Sequence, residues 1–227
     1  MKLSVVIPVF NEAATFQDLL RKVLEAPIGI DREVIVVDDG STDGTREVLS
    51  ALSDPAVQVI LRERNGGKGA AVRDGLARAT GEIVLIQDAD LEYDPAEYPR
   101  LLAPILSGKV DVVYGTRFKG ETRVLFFWHY LGNRFLSLAA NVLFNTTLSD
   151  IETCYKVMRV EALKGIRLKC DRFGFDPEIT AKLLKRRVRI AEVPITYYGR
   201  DYSEGKKIRW RDGFVVLGAL LRFRFLD

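Results

Sequence analysis

Several features of secreted and membrane-spanning proteins are absent from this sequence. It has only two cysteines, Cys154 and Cys170, and their spacing fits no metal site. No secretory signal precedes the first strand pattern, which begins at Lys2. No apolar run reaches the ~20 residues that a helix needs to span a bilayer. We therefore expect a reducing, cytoplasmic setting.

The sequence also lacks a strong charge of either sign, since its formal net charge is +3. A charge this small gives no reason to expect a nucleic-acid partner. The basic residues are unevenly placed, however, and residues 182–211 hold ten of them against three acidic ones. Such a stretch suits phosphate groups or an anionic membrane surface, and it is equally typical of a solvated face.

What the sequence does contain is a regular alternation of strand and helix patterns within its 227 residues. Short loops join them, which predicts a mostly parallel α/β sheet flanked by helices, with right-handed crossovers. The length allows one large domain, or one domain with an appendage. We assign residues 1–207 to the domain and residues 208–227 to a C-terminal amphipathic helix. Strands are predicted at residues 3–8, 33–37, 57–61, 83–86, 110–114 and 190–198. Helices are predicted at residues 13–26, 69–79, 96–106 and 175–185. A further helix is predicted between the second and third strands and ends near residue 52.

The most informative stretch is the fourth strand with the loop that follows it. The apolar run Ile83–Ile86 predicts a strand buried on both faces. Asp88-Ala89-Asp90 comes just after it, at the strand end where ligands bind in open α/β sheets. Two carboxylates around a small residue suit a hard divalent cation that carries phosphate oxygens. The alternative is a solvated acidic turn.

Acidic loops follow two other strands as well. Glu12 comes after the first strand, and Asp38 and Asp39 come after the second. Because the carboxyl ends of parallel strands meet at one edge of a sheet, we expect the three loops to converge there. In the second loop, Ser41 or Thr42 is expected to cap the next helix.

Two segments after residue 117 are strongly apolar. Residues 124–144 predict a helix that is either buried or lies in a membrane interface, and their pattern alone favours core packing. Residues 210–226 predict an amphipathic helix that carries both aromatic and arginine side chains. This combination favours a membrane-interfacial helix over a core helix.

Four motifs in the N-terminal half, taken together, resemble the family-two glycosyltransferases of the GT-A fold. They are VIPVFNE at 6–12, DDGSTDGT at 38–45, NGGKGAA at 65–71 and DADLEYDP at 88–95. A narrower resemblance, to the polyprenyl-phosphate (dolichyl-phosphate) mannose and glucose synthases, lies in residues 115–117, 137–141, 150–159 and 192–200. The likeness reaches to about residue 207 and implies transfer of a hexose from a nucleotide sugar.

The resemblance implies that the nucleoside is held by Pro8, Phe10, Glu12 and Asp39. Carboxylates are good acceptors for base N–H groups and ribose hydroxyls, which agrees with this assignment. Asp38 is assigned to the same site, with orientation of its own loop as the alternative. For Phe10 the alternative is core packing.

For the diphosphate, the resemblance implies a site at Asp88-Ala89-Asp90. Asp88 and Asp90 are expected to bind Mg²⁺ or Mn²⁺, which neutralises charge on the departing nucleoside diphosphate. The glycine-rich loop around Lys68 is expected to bring backbone N–H groups and the lysine close to the diphosphate, or to form a plain helix-entry turn.

The implied acceptor is a polyprenyl phosphate at a membrane surface. A phosphate arrives largely ionised, because its second pKa is about 6, and needs cationic guides rather than a general base. Arg117 and Arg200 are the leading candidates, followed by Arg134 and Lys206, with Ser137 on the same side. Guanidinium groups suit this task because they grip phosphate bidentately. The enzyme is then expected to lie peripherally on the cytoplasmic face of a membrane.

Two alternatives stay open. A soluble family-two enzyme with a hydroxyl acceptor needs a general base, and Asp150 is the candidate. A non-catalytic sugar-nucleotide-binding protein is the other. The sugar also stays open, because GDP-mannose and UDP-glucose both fit and because the sequence departs from the family on the acceptor side. Asn133 stands where an arginine is frequent, and residues 204–207 replace a Glu-Ser-Lys run.

Overall fold

The computed structural model describes residues 1–123, 126–200 and 212–226. A short 3-10 helix, Pro95–Glu97, precedes the fourth α-helix. The seven strands in these ranges are β1 Lys2–Val9, β2 Asp31–Asp38, β3 Val57–Leu61, β4 Ile83–Ile86, β5 Val112–Thr116, β6 Lys156–Arg159 and β7 Ile190–Pro194. The α-helices are α1 Phe16–Glu25, α2 Thr45–Ser50, α3 Lys68–Leu76, α4 Tyr98–Leu106, α5 Phe127–Phe144, α6 Val160–Leu163, α7 Phe175–Lys185 and α8 Asp212–Phe225.

The strands form one sheet in the order β3-β2-β1-β4-β6-β5-β7. All neighbours are parallel except those of β6, which runs antiparallel to both β4 and β5. This confirms the mostly parallel α/β sheet that the sequence predicts. β6 itself was not predicted, because it has only four residues and includes the charged side chain of Lys156, so its local pattern is not that of a buried strand.

β4 lies at the centre of the sheet and is buried on both faces, as predicted, since each of its four residues is at most 1% exposed. Its neighbour β1 pairs with β2 on the other side. The carboxyl ends of these three strands therefore lie side by side. The predicted convergence of the three acidic loops at one edge is confirmed.

The predicted cap of the second helix is wrong. α2 begins at Thr45, after Gly44, whose φ of +96° lies in the left-handed region that glycine adopts without strain. Ser41 and Thr42 are instead engaged with the loop after β1. The Ser41 hydroxyl accepts a hydrogen bond from the Asn11 amide at 2.9 Å, and the Thr42 amide donates to the Asn11 side chain at 2.9 Å.

Core packing of the apolar segment 124–144 is also wrong for its described part, since residues 124 and 125 lie outside the described ranges. Within α5, only Leu136, Ser137 and Ala140 are buried. Among the described helices and strands, α5 packs mainly against α7 and α8, and one side of it faces outward. The apolar side chains exposed on α5 and at its start are Phe126, Phe127, Trp128, Tyr130, Leu131, Phe135, Leu138 and Val142.

α8 has two apolar sides rather than one. Val216, Leu220 and Phe223 are buried against the rest of the domain, where α8 meets α5 and α7. Phe214 and Phe225 are exposed. The helix therefore anchors itself by core packing and still presents aromatic side chains outward. Within the described ranges, no helix combines the length and apolar character needed to cross a membrane.

Candidate active site

The loops after β1 and β2 are held together by side-chain to backbone hydrogen bonds. Besides the bonds of Asn11, the Glu12 amide donates to the Thr45 hydroxyl at 3.0 Å. Asn11 adopts φ of +54°, a left-handed conformation that asparagine tolerates better than most residues. These hydrogen bonds hold the backbone around Glu12 in place. The position of the Glu12 carboxylate therefore depends on the loops that follow both β1 and β2.

The two aspartates at the end of β2 have different partners. Asp38 accepts hydrogen bonds from the amides of Gly40 and Ser41, which are in its own loop. Asp39 accepts from the amides of Gly66 and Gly67, at 2.9 and 2.7 Å, in the loop that leads into α3. Asp38 thus orients its own loop, and Asp39 ties β2 to the glycine-rich loop.

A buried chain of alternating charges runs from Asp88 into the protein. Lys68, the first residue of α3, pairs with Asp88 at 2.7 Å and lies 3.8 Å from Asp176 at the start of α7. Asp176 also pairs at 2.5 Å with Lys156 of β6, which is fully buried. Each charge has an opposite neighbour, as buried ions require. Lys68 therefore lies beside the Asp88 carboxylate.

Asp90 belongs to a second cluster, centred on the Arg200 guanidinium. Arg200 donates to Asp90 at 2.9 Å and to Glu12 at 3.2 Å, and its Nε lies 3.5 Å from Glu92. Burial raises the pKa of Asp90 to about 7, reinforced by the carboxylates of Asp88 and Glu92 and opposed by Arg200. The carboxylates of this cluster thus carry more negative charge than the single guanidinium of Arg200 offsets.

The carboxylates of Asp88 and Asp90 fit a divalent cation. Mg²⁺ is commonly bound by one or two carboxylates together with substrate phosphates, and does not require a cage built only of protein side chains. Among the residues that the structure describes, no group of three or more His, Cys, Asp or Glu side chains is arranged to hold a metal.

A further ion pair of the site joins Arg117 to Asp150. The guanidinium donates from Nε and from Nη2 to the two carboxylate oxygens, each at 2.7 Å. Asp150 is fully buried. Burial alone would lower the pKa of Arg117, but the Asp150 carboxylate raises it well above its usual value. Arg117 also lies 5.2 Å from the ring centre of Tyr197, whose hydroxyl donates to Glu92. The two arginines are thereby joined through Tyr197 and Glu92.

The other residues predicted from the sequence do not join these charged clusters where the structure describes them. The Ser137 hydroxyl is buried and accepts from the Ile151 amide at 3.3 Å, so it ties α5 to the loop that carries Asp150. Arg134 is exposed on α5. Lys206 lies outside the described residues. Pro8 and Phe10, at the end of β1, are partly exposed, which leaves surface on both for a ligand.

Glu152 was not among the residues singled out from the sequence. Its side chain is partly buried, and its Oε1 is buried without a hydrogen-bond partner in the described parts of the chain. Burial raises its pKa to about 8, as does the Asp176 carboxylate, while Lys156 and Arg117 act in the opposite direction and Asp150 adds to the increase. The only available signal in the sequence was its position two residues after Asp150.

The raised pKa of Glu152 predicts a pH-dependent stability. Between about pH 4.5 and 8 the folded chain holds this proton and the unfolded chain does not, so the free energy of unfolding falls as pH rises through this range. Glu152→Gln keeps the shape and has no charge to bury. We expect the melting temperature of Glu152→Gln to exceed that of the wild type by a few °C more at pH 8 than at pH 5. Equal differences at the two pH values, measured by calorimetry, would contradict the assignment.

Comparison with protein families places this site in context. A family model described as glycosyl transferase family 2 matches residues 4–167. The glycosyltransferase AglJ of Haloferax volcanii is 30% identical over 96% of this chain and 70% of its own length. A dolichol-phosphate mannosyltransferase of Pyrococcus furiosus is 30% identical over 91% of this chain. An undecaprenyl-phosphate 4-deoxy-4-formamido-L-arabinose transferase of Pseudomonas aeruginosa is 31% identical over 89%. This chain spans 59% of the length of each of the last two.

Solved structures share the fold as well. Glucosyl-3-phosphoglycerate synthase of Mycobacterium tuberculosis, in complex with phosphoglyceric acid, aligns with all of this chain and 81% of its own at a TM-score of 0.77, with 24% identity. The same enzyme with Mn²⁺, UDP and phosphoglyceric acid aligns with a TM-score of 0.74 at 22% identity over all of this chain and 79% of its own. At this level of identity the likeness concerns the fold, and it confirms the GT-A architecture.

Proposed function

Because this chain belongs to glycosyl transferase family 2, we propose that it transfers a hexose from a nucleotide sugar to a polyprenyl phosphate, giving a lipid-linked phosphosugar. The observation that carries the choice of acceptor is the state of the candidate bases. Both oxygens of Asp150 accept from Arg117, and burial raises the pKa of Glu152 to about 8. A hydroxyl nucleophile needs a general base, whereas an ionised phosphate does not.

On the donor side, the proposal assigns the nucleoside to Glu12 and Asp39, with Pro8 and Phe10 beside them. Asp88 and Asp90 are the residues that would hold Mg²⁺ or Mn²⁺, and the bound ion would neutralise charge on the departing nucleoside diphosphate. Lys68 lies next to Asp88, so its ammonium is within reach of the same diphosphate. These roles also require Arg200 to share or release the carboxylates with which it now pairs.

On the acceptor side, Arg117 is the leading phosphate ligand. A guanidinium has five N–H groups, and two of those of Arg117 donate to Asp150. The remaining three are available to a phosphate, while Asp150 holds the guanidinium in place. Arg200, Arg134 and Lys206 are the further cations assigned to this side.

The reaction proposed is a single displacement. A phosphate oxygen of the lipid attacks the anomeric carbon as the bond from that carbon to the diphosphate oxygen breaks. The electron pair of that bond leaves with the nucleoside diphosphate, so no proton needs to be removed from the nucleophile. One displacement inverts the configuration, which gives a β-linked product from an α-linked donor.

The test is a transfer assay with the purified chain, Mg²⁺ or Mn²⁺, polyprenyl phosphate in detergent, and labelled GDP-mannose or UDP-glucose in parallel. Label in the lipid phase with one donor would support the proposal and identify the sugar. Label that passes only to added hydroxyl acceptors, such as phosphoglyceric acid, would exclude the lipid phosphate and favour a soluble transferase instead.

A lipid acceptor also requires contact with a membrane, and the exposed side of α5 is proposed to provide it. We define the apolar face as Phe127, Trp128, Leu131, Phe135 and Leu138, each of which is 45% exposed or more. Aromatic side chains of this kind favour the bilayer interface. The chain is thus proposed to bind peripherally, on the cytoplasmic face of a membrane, with the basic residues near 200–211 close to anionic headgroups.

Substitution on the apolar face is expected to weaken binding to vesicles. Burying one large apolar side chain contributes about 1.5–3 kcal/mol, so Phe127→Ser with Trp128→Ser should lower the partition coefficient at least tenfold. Co-sedimentation with vesicles of anionic phospholipid measures this directly. Leu106→Ser serves as the control, because Leu106 is also a large apolar residue, 40% exposed, but lies on α4. This substitution should leave binding unchanged. Equal binding of the double variant would exclude this face.

A further inference from the structure

The Glu152 carboxyl has one oxygen that no group in the described structure holds. Its Oε1 is buried and has no hydrogen-bond partner among the described residues. Buried polar atoms in folded proteins are nearly always paired, and an unpaired one calls for a specific explanation. A polar group of a bound substrate is such an explanation, because it would supply the missing partner.

Its surroundings place Glu152 between two ends of the site. Its neighbour Thr153 accepts a hydrogen bond from Lys156, which pairs with Asp176, and two residues before Glu152 Asp150 pairs with Arg117. The first pair leads through Lys68 to Asp88, where the diphosphate is assigned. The second pair contains the arginine that is assigned to the acceptor phosphate.

A transferred sugar must lie between these two ends. In a single displacement, the anomeric carbon has the leaving diphosphate on one side and the attacking oxygen on the other. The hexose ring therefore occupies the space that separates the donor diphosphate from the acceptor phosphate. Glu152 is next in the chain to residues whose contacts lead to both ends of that space, and its carboxyl forms no ion pair within the described structure.

We propose that the Glu152 carboxyl binds a hydroxyl group of the donor hexose and so helps to determine which sugar is accepted. A sugar hydroxyl both donates and accepts, so it is suited to an acceptor oxygen that lacks a partner. The inference rests on the proposed nucleotide-sugar donor and names the residue of that site that contacts the sugar.

The protonation state of Glu152 agrees with this role. Because burial and the neighbouring Asp176 raise its pKa to about 8, the group is a neutral carboxyl at pH 7. A neutral carboxyl has one O–H donor and one carbonyl acceptor, the complement of a hydroxyl group. It also leaves Asp150 and Lys156 in their existing ion pairs.

The experiment compares the affinity for a nucleotide with and without its sugar. Dissociation constants for UDP, UDP-glucose, GDP and GDP-mannose are measured by calorimetry on the full chain in the presence of Mn²⁺. The test variant is Glu152→Met, which removes both polar atoms and keeps similar volume. Glu152→Gln retains a donor and an acceptor, and Glu161→Met changes an exposed glutamate on α6 as the control.

With Glu152→Met, we expect the preferred sugar nucleotide to bind about tenfold more weakly, because a hydroxyl loses its partner. The matching nucleoside diphosphate should bind within about twofold of the wild-type value. Glu152→Gln should restore most of the lost affinity, and Glu161→Met should resemble the wild type.

The outcomes separate this inference from the proposed function. An equal loss of affinity for the sugar nucleotide and the diphosphate, or no loss of either, would overturn the role of Glu152 alone. A wild-type chain that binds none of the four nucleotides would overturn the proposed donor. A sugar-dependent loss in a chain that labels no polyprenyl phosphate would support Glu152 and reject the lipid acceptor.

Discussion

Asp90→Asn should lower the rate of sugar transfer by on the order of 10³-fold. Loss of one group that stabilises developing charge commonly costs 10²–10³-fold, and here the same substitution removes a proposed metal ligand. The fold should persist, because asparagine has the same size and because ionisation of the buried Asp90 is already unfavourable, with a pKa of about 7. Arg200 keeps Glu12 and Glu92 as partners. Counting label in the lipid phase at several Mn²⁺ concentrations measures the effect.

Asp94→Asn is the matched control for this loss of charge in the same loop. The Asp94 carboxylate accepts from the Ala96 amide at 3.1 Å, at the start of the short 3-10 helix. Asparagine caps a helix as well as aspartate does, so activity within about twofold of wild type is expected. If Asp90→Asn kept more than about a tenth of the activity at every Mn²⁺ concentration, Asp90 would not be an essential metal ligand, whereas activity recovered only with extra Mn²⁺ would indicate a ligand whose loss weakens metal binding.

Arg117→Ala should destabilise the fold and remove transfer together. Removing one partner of a buried ion pair leaves an uncompensated charge, here Asp150, which is fully buried, at a cost of about 3–5 kcal/mol. The gentler variant Arg117→Lys keeps the positive charge and loses the bidentate geometry. For Arg117→Lys we expect the KM for polyprenyl phosphate to rise about 10-fold or more, with the KM for the sugar nucleotide little changed. Chemical denaturation and steady-state kinetics measure the two effects separately.

Arg189→Ala is the control, because it removes a guanidinium with the same bidentate geometry at an exposed position. Arg189 donates to both oxygens of Asp111, at 2.9 and 2.8 Å, and its side chain is 59% exposed. Exposed pairs contribute little, so stability and transfer should both be close to those of the wild type. A higher KM for the sugar nucleotide with Arg117→Lys, and an unchanged KM for the lipid, would place Arg117 on the donor side instead.

The sequence was most informative where local patterns have direct structural consequences. The run Ile83–Ile86 is apolar at every position, so it had to be a strand covered on both faces, and the helix Phe175–Lys185 was predicted with the same bounds that it has. Parallel strands bring their carboxyl ends together, so the acidic loops after β1, β2 and β4 could be assigned to one edge. The short strand β6 was not predicted, because its four residues include a buried lysine and show no clear alternation of apolar and polar side chains.

The sequence did not indicate the partners of the charged side chains, because these pairs form between residues that are far apart in the chain. Nothing local indicates that Lys68 pairs with Asp88, that Arg200 joins Glu12 to Asp90, or that Asp150 is held by Arg117. The same holds for α5, whose apolar residues suggest a core but whose outward side is covered by no other helix or strand of the described structure. Composition and period determine which residues favour burial and which elements form. The packing of those elements determines which charges are paired, and among the described residues it leaves the Glu152 Oε1 buried without a partner.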